Sequence, residues 1–287
     1  MSTQVTTAFV QQFGSNIDLL SQQMGSKLRS AVSEESVTGE KGFFDQVGLT
    51  SAQKKTSRHG DTPLMESPHS RRMVTMDEYE WADLIDGADK VRLLADPTSS
   101  YARAAAFAMG RAIDDVIITA ATGSASTGKS GSTSTALPAG NIVAHGSGDM
   151  TVAKLLSAKK ILDENDVDPS IKRYICVAPA QIEALLGITS VTSSDFNTVK
   201  ALAQGEVNSF LGFEFIVSTR LAVASDIRTC FAWAEDGIKL GMGKDIVSRI
   251  DERADKSYST QVYYCAQFGA TRMEEEKVVS ILCDESA

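Results

Sequence analysis

The sequence predicts an α+β protein, and three observations carry that prediction. One amphipathic pattern runs from about residue 98 to 122, long enough for a dominant helix. Helix-like and strand-like stretches alternate from 151 to 234, and the C-terminal part beyond 259 reads as extended strands. With 287 residues, 43% of them hydrophobic, the chain can bury a core as one large domain or two smaller ones.

Taken in order, residues 1–41 form a polar arm rich in Ser and Gln. Ile17, Leu20, Met24 and Leu28 recur at helical spacing and predict one weak helix there. The arm has too little apolar surface to fold alone, so it is either a free terminus or a segment that orders against a neighbouring subunit. Residues 42–96 show no sustained helical period, and Gly60, Pro63 and Pro68 break their middle, which predicts an extended hairpin without a core of its own. Lys54, Lys55, Arg58, Arg71 and Arg72 flank the break, and Asp77, Glu78, Tyr79, Glu80 and Trp81 follow, charged and aromatic by turns as in a two-faced strand. An excursion of this length is either a solvated hairpin or a partner-binding segment. On the second reading Arg58, Arg71, Arg72, Asp77, Glu78, Glu80 and Trp81 are candidates for contact with another copy. Charge reversal at Arg71 and Arg72 together is then expected to block assembly without unfolding the subunit.

Asp96, Pro97, Thr98 and Ser99 supply a helix start. Ala102, Ala106, Met109, Ile113, Val116, Ile117 and Ala120 then recur at three- and four-residue steps, with Arg103, Arg111, Asp114 and Asp115 opposite. The helix should span about 35 Å. Residues 123–148 are rich in Gly, Ser and Thr and predict a flexible surface loop in which only 141–144 resembles a strand. Beyond it the patterns predict helices at 151–164 and 179–186 and strands at 173–178, 213–218 and 229–234. Strands at 259–271 and 277–283, joined by the charged link 273–277, predict a terminal antiparallel hairpin.

One string imitates catalytic chemistry. Gly123, Gly128, Lys129 and Ser130 in GSASTGKS match the phosphate-loop pattern, whose glycines let backbone amides wrap phosphates. That chemistry needs a strand entering the loop and a helix leaving it. Here a long helix enters and SGSTSTALPAG leaves, so the string reads as a product of composition.

Other site chemistry is sparse. Cys176, Cys230, Cys265 and Cys283 stand too far apart for a zinc cluster or redox pair and read as reduced core thiols. His59, His69 and His145 suit no metal site, and the acidic runs Asp163, Glu164, Asp166, Asp168 and Glu274, Glu275, Glu276 read as solvated faces. No cofactor, metal or catalytic group is expected. A net charge of -9 argues against a dedicated nucleic-acid binder, and the sequence has neither a basic-then-apolar leader nor an apolar run long enough for a membrane span.

The order of arm, extended loop, long helix, α/β layer and terminal strands resembles the major capsid proteins of tailed bacteriophages. TSSYARAAAFAMGRAIDDVIITAATG is similar to that family's spine helix and RYICVAPAQIEALLG to its strand-to-helix step. GEVNSFLGFEFIVSTRL and the stretch from CFAWAEDGIKLGMGKDIVSRI to EEEKVVSIL extend the likeness. The resemblance implies an arm at 1–41 and an extended loop at 42–96 reaching over the adjacent subunit. It implies a peripheral domain at 97–148 and 244–287 and an axial domain at 149–243 converging on five- and six-fold centres. It also implies self-association into pentamers and hexamers of an icosahedral virion shell, assembled in the host cytoplasm around double-stranded DNA bound without sequence preference. Neighbouring capsomers, portal and decoration proteins would be the other partners. The short arm leaves no room for a fused scaffolding domain, so a separate scaffolding protein or none is expected, and no lysine-to-asparagine cross-link. An encapsulin-like nanocompartment uses the same fold, a minor virion component could share it, and a phosphate-loop hydrolase would instead make Lys129 indispensable.

Overall fold

The computed structural model describes residues 21–58, 60–62, 64–85, 98–146, 148–187 and 209–286. In chain order these build β1 (Ser33–Ser36), β2 (Lys41–Val47), β3 (His69–Thr75), β4 (Asp77–Ile85), helix α1 (Thr98–Thr122), β5 (Ala125–Thr127), β6 (Thr133–Thr135) and β7 (Ile142–Val143). Helix α2 (Val152–Glu164), β8 (Arg173–Val177), helix α3 (Pro179–Gly187), β9 (Ser209–Phe210), β10 (Phe213–Val217) and β11 (Val223–Ala224) follow. The chain ends in β12 (Ile227–Ala234), β13 (Ile238–Arg253), β14 (Ser259–Arg272) and β15 (Val278–Asp284). Two compact units form, one from the described parts of Met1–Ser26, Glu78–Ala112 and Lys244–Gln267, the other from those of Lys27–Asp77, Ile113–Gly243 and Phe268–Ala287.

The second unit is organised on a seven-stranded sheet with the path β7-β15-β12-β8-β10-β9, on which β11 pairs with β12. Every residue of β8 is buried, as expected of a short apolar strand with neighbours on both sides. Trp233 on β12 stacks on Tyr174 of β8 at 5.7 Å between ring centroids, and its indole N–H donates to the carbonyl of Ala31 at 2.8 Å. Helix α2 starts where the Thr151 hydroxyl accepts from the Lys154 amide, and it buries Leu155, Ala158 and Leu162. Cys176, Cys230 and Cys283 lie reduced and buried in this sheet, and burial pushes the Cys176 thiol up to about 12. A smaller sheet, β2-β3-β5-β6, carries the extended hairpin, and β1 runs parallel to the start of β13 from Ser33 opposite Lys239 to Ser36 opposite Met242.

The first unit contains the distal reaches of β13 and β14 with β4, in the order β13-β14-β4, and the N-terminal turns of α1. Gly110 on α1 is required there by a close approach: a Cβ at that position would collide with the backbone of Gly25 and Ser26.

Helix α1 has the bounds that its sequence pattern predicts, but its buried stripe is Ala105, Met109, Ile113, Ile117 and Ala121, with Ala102, Ala106, Val116 and Ala120 only half buried. Four other expectations are corrected. No helix forms over 21–28, where Met24 is exposed and Leu28 buried; Ile17 and Leu20 lie outside the described residues. The hairpin is not coreless, because Phe44, Val74 and Met76 bury together with Val37 and Met273. The Gly/Ser/Thr tract is not a plain loop, since β5 and β6 pair antiparallel within it and β5 pairs with β3. The terminal strands do not form a hairpin: β14 and β15 belong to different sheets, and 273–277 is the crossover between them. Buried Met273 and Glu275 hold that link inside the fold, which keeps it from acting as a surface turn.

Candidate functional site

The hairpin's alternation decides which of its charges face outward. On β3, Arg72 and Val74 point inward and Arg71 outward, as the period of two requires. Arg71 sits opposite Asp45 of β2 and donates to its carboxylate at 2.5 and 3.1 Å, while its guanidinium lies 5.5 Å from the centroid of the Phe43 ring. The hydrogen bond from Arg71 holds the Asp45 carboxyl below its usual range.

Arg72 is 8% exposed and ion-pairs with Glu275, itself 7% exposed. The expectation that Arg72 contacts another subunit as a free surface charge, and that its reversal would spare the fold, is therefore corrected: the group is buried and paired within the chain. Glu275 lies 3.6 Å from Arg272 as well, so one carboxylate serves two buried guanidiniums. Arg272, fully buried, donates to the carbonyls of Ala121 at 3.1 Å, Gly123 at 2.7 Å and Thr135 at 3.1 Å, which satisfies the open C-terminal carbonyls of α1 and ties them to β6. Sequence reasoning missed both Arg272 and Glu275. The parity shared by Arg72, Val74 and Met76 was the available signal that Arg72 points inward and needs a buried counter-charge.

The other candidates fall on exposed or half-exposed positions. Arg58 is exposed in the hairpin loop, Asp77 and Glu78 are exposed at the start of β4, and Trp81 is half exposed. Glu80 accepts the phenol of Tyr263 at 2.6 Å, a bond that pushes the Tyr263 hydroxyl up from its ordinary value.

The phosphate-loop string folds as the β5–β6 hairpin. Gly128 and Gly131 occupy its turn at φ of 88° and 71°. Three glycine amides here are already engaged: Gly123 N–H donates to Thr119 O, Gly128 N–H to Arg71 O and Gly131 N–H to Gly128 O. Lys129 and Ser130 stand exposed at the tip, and the only helical residues between β6 and β7 are the short turn Ala139–Asn141. These glycine amides are therefore not free to wrap a phosphate. Among the described residues no three His, Cys, Asp or Glu side chains gather into a metal set. The acidic runs are largely paired: Asp163 accepts from Arg173 at 2.6 Å, and Lys277 bridges Asp236 at 2.6 Å and Glu274 at 3.2 Å. His145 lies 3.8 Å from Asp284, whereas His59 is outside the described residues.

A family model described as phage capsid protein matches residues 5–285. No curated protein sequence is significantly similar. Among solved structures, the fold is similar to one titled as the capsid of the cyanophage P-SCSP1u, with a TM-score of 0.75 at 18% identity over 99% of this chain and 95% of that one. It is similar to one from Mycobacterium phage Che8, at 0.72 and 16% over 95% and 97%, and to the capsid of a native GTA particle computed with C5 symmetry, at 0.72 and 12% over 96% of each chain. At these identities the likeness establishes the fold. The family match, spanning nearly the whole length of a chain with that fold, identifies it: this chain belongs to the phage capsid protein family, and its role is that of a structural capsid component.

Proposed function

We propose that this chain is the major capsid protein of a tailed bacteriophage, the subunit that closes into pentamers and hexamers of an icosahedral shell around double-stranded DNA. The observation that carries this reading is the family match over residues 5–285. The resemblance of the whole fold to capsid subunits, one from a particle computed with C5 symmetry, supports it. On this reading residues 1–41 are an arm, 42–96 an extended loop over the adjacent subunit, 97–148 with 244–287 a peripheral domain and 149–243 an axial domain. Arg58, Arg71, Asp77, Glu78 and Trp81 serve contacts between copies. DNA contact is loose, because a chain of net charge -9 cannot neutralise phosphates over a broad surface. Assembly takes place in the host cytoplasm, with a separate scaffolding protein or none, portal and decoration proteins as further partners, and no membrane step.

Electron microscopy and sedimentation of the purified full chain across a concentration series test the reading. Closed shells, or rings of five and six, are expected. A subunit that stays monomeric at every concentration overturns it, and shells packed with enzyme cargo in place of a genome would assign the same fold to a nanocompartment.

A further inference from the structure

We propose that Lys244 and Cys265 form an oxidative modification site, at which a peroxide joins the lysine Nζ to the cysteine Sγ through one bridging oxygen. The two residues stand on neighbouring strands, β13 and β14, and the Lys244 ammonium donates to Sγ of Cys265 at 3.0 Å. That contact puts both side chains on one face of the sheet, at a separation that a single inserted atom can span.

The pairing sets both residues apart. Lys160, Lys239 and Lys277 reach carboxylates, and Lys154 reaches two backbone carbonyls, whereas Lys244 directs its ammonium at a thiol. Cys265 is only 2% exposed while Lys244 is exposed, so the sulfur is screened from bulky thiols and the pair opens to water on its lysine side. Cys176, Cys230 and Cys283 all belong to the other compact unit, which leaves Cys265 no cysteine partner within its own. The Tyr263 hydroxyl, which donates to Glu80, is also hydrogen-bonded with Cys265. The thiol therefore stands between a phenol and an amine, and the amine is the one neighbour able to form a stable bond to an oxidised sulfur.

The chemistry balances with two equivalents of peroxide. The first oxidises the thiol to a sulfenic acid, and one water leaves. The Lys244 amine, once its ammonium proton has gone to solvent, then bonds to the sulfenic oxygen. The O–H and one N–H are lost, nitrogen gives two electrons to the second peroxide, and two waters leave. An amine held in contact with the sulfenic acid competes with further oxidation of the sulfur, because the joining step needs no encounter between them. The product ties β13 to β14 where burial does not, since β13 is almost wholly exposed from Gly243 to Glu252. On the shell-subunit reading the particle leaves a reducing host interior for oxidising surroundings, which is when the bond would form; the chemistry itself does not rest on that reading.

The test uses the purified full chain, kept reduced or treated with hydrogen peroxide, and reads tryptic peptides by mass spectrometry. The expected product is one cross-linked peptide containing Lys244 and Cys265, heavier by one oxygen and lighter by two hydrogens than its reduced parts. It should resist trypsin after Lys244 and revert with dithiothreitol. Amide hydrogen exchange across 244–265 should slow about tenfold in the bridged form, because the bond limits local opening of the two strands. Lys244→Arg keeps the charge at an exposed position, so it should fold normally and give sulfenic and sulfinic acid at Cys265 without a link. Met24, at 77% exposure, reports the oxidant dose through its sulfoxide. A dose that converts Met24 but leaves Cys265 a free thiol, or oxidises it without the link, overturns the proposal. So does a link that lacks the added oxygen. All these readings are made on single subunits, so they stand apart from whether the chain forms shells.

Discussion

Glu275 is the residue on which the buried charge balance turns, and three variants measure it. Glu275→Gln leaves Arg72 and Arg272, at 8% and 0% exposure, without any counter-charge. Removing one partner of a buried pair costs about 3–5 kcal/mol. With a urea m-value of about 3 kcal/mol/M for a chain of this size, the unfolding midpoint should fall by about 1–1.7 M. Arg72→Met acts differently. It leaves one guanidinium with one carboxylate, removes a cation the subunit does not balance, and keeps the three carbonyl contacts of Arg272. Its cost should stay below about 1.5 kcal/mol, or about 0.5 M. Arg72→Met combined with Glu275→Gln restores the original excess of one cation and should recover much of the Glu275→Gln loss. The assay is urea unfolding followed by circular dichroism at concentrations too low for assembly. An Arg72→Met variant as unstable as Glu275→Gln, or strictly additive losses in the combination, would refute the charge accounting.

Three further outcomes are expected. Asp114→Ala should cost about 2–4 kcal/mol in the same unfolding assay, because its buried carboxylate accepts the amides of Lys27 and Leu28 at 3.1 Å and alanine would strand both. Gly110→Ala should destabilise by about 1–3 kcal/mol, although alanine gains about 1 kcal/mol in helix propensity, because the new methyl meets backbone and not a movable side chain; a raised melting temperature would contradict this. Glu285 is held below the ordinary glutamate value of 4.5 by hydrogen bonds from Arg228 and then Gln181, so its contribution is fully present above about 4.5 and is lost as pH falls through the lowered folded value. Stability should therefore decline in acid, and Glu285→Gln should flatten that decline.

What was legible in the sequence follows from the range over which each signal acts. The bounds of α1 could be read because the apolar repeat and the start residues are local signals that act within one helix. Asp114 could not be placed correctly, since a carboxylate on the polar side of a helical wheel is buried here by two amides from residues 86 and 87 positions away. Strand β13 carries Gly241, Gly243 and alternating charges over Lys244–Arg253, which hides a strand stabilised by pairing instead of burial. The β5–β6 hairpin is built from Ser, Thr and Gly, residues that also make loops, and β3 supplies the pairing partner that decides between them. Of the proposed contact residues, their location on the hairpin and β4 was readable and strand parity set Arg71 apart from Arg72, but the counter-charge that holds Arg72 inside, Glu275, lies 203 positions beyond it.

The hairpin shows how one sequence divides its surface between folding and association. Its base belongs to the fold: Phe44, Val74 and Met76 are buried, Gln46 donates to the carbonyl of Met273 at 2.8 Å, and Gly269 lies so close to Thr75 that a Cβ would strike the Thr75 carbonyl oxygen. Beyond the bond from Gly48 N–H to Pro68 O at 2.8 Å, the described residues adopt no helix or strand and expose Leu49 and Leu64 almost completely, at 98% and 96%. Two leucines held in water contribute nothing to the stability of a single subunit, whereas burying each against a partner is worth about 1.5–3 kcal/mol. Many copies each gaining a few such contacts suffice to close a shell, while the subunit's own stability rests on the pinned base. On the proposed shell-subunit reading, association can then vary with the neighbour that the loop meets without disturbing the fold that presents it.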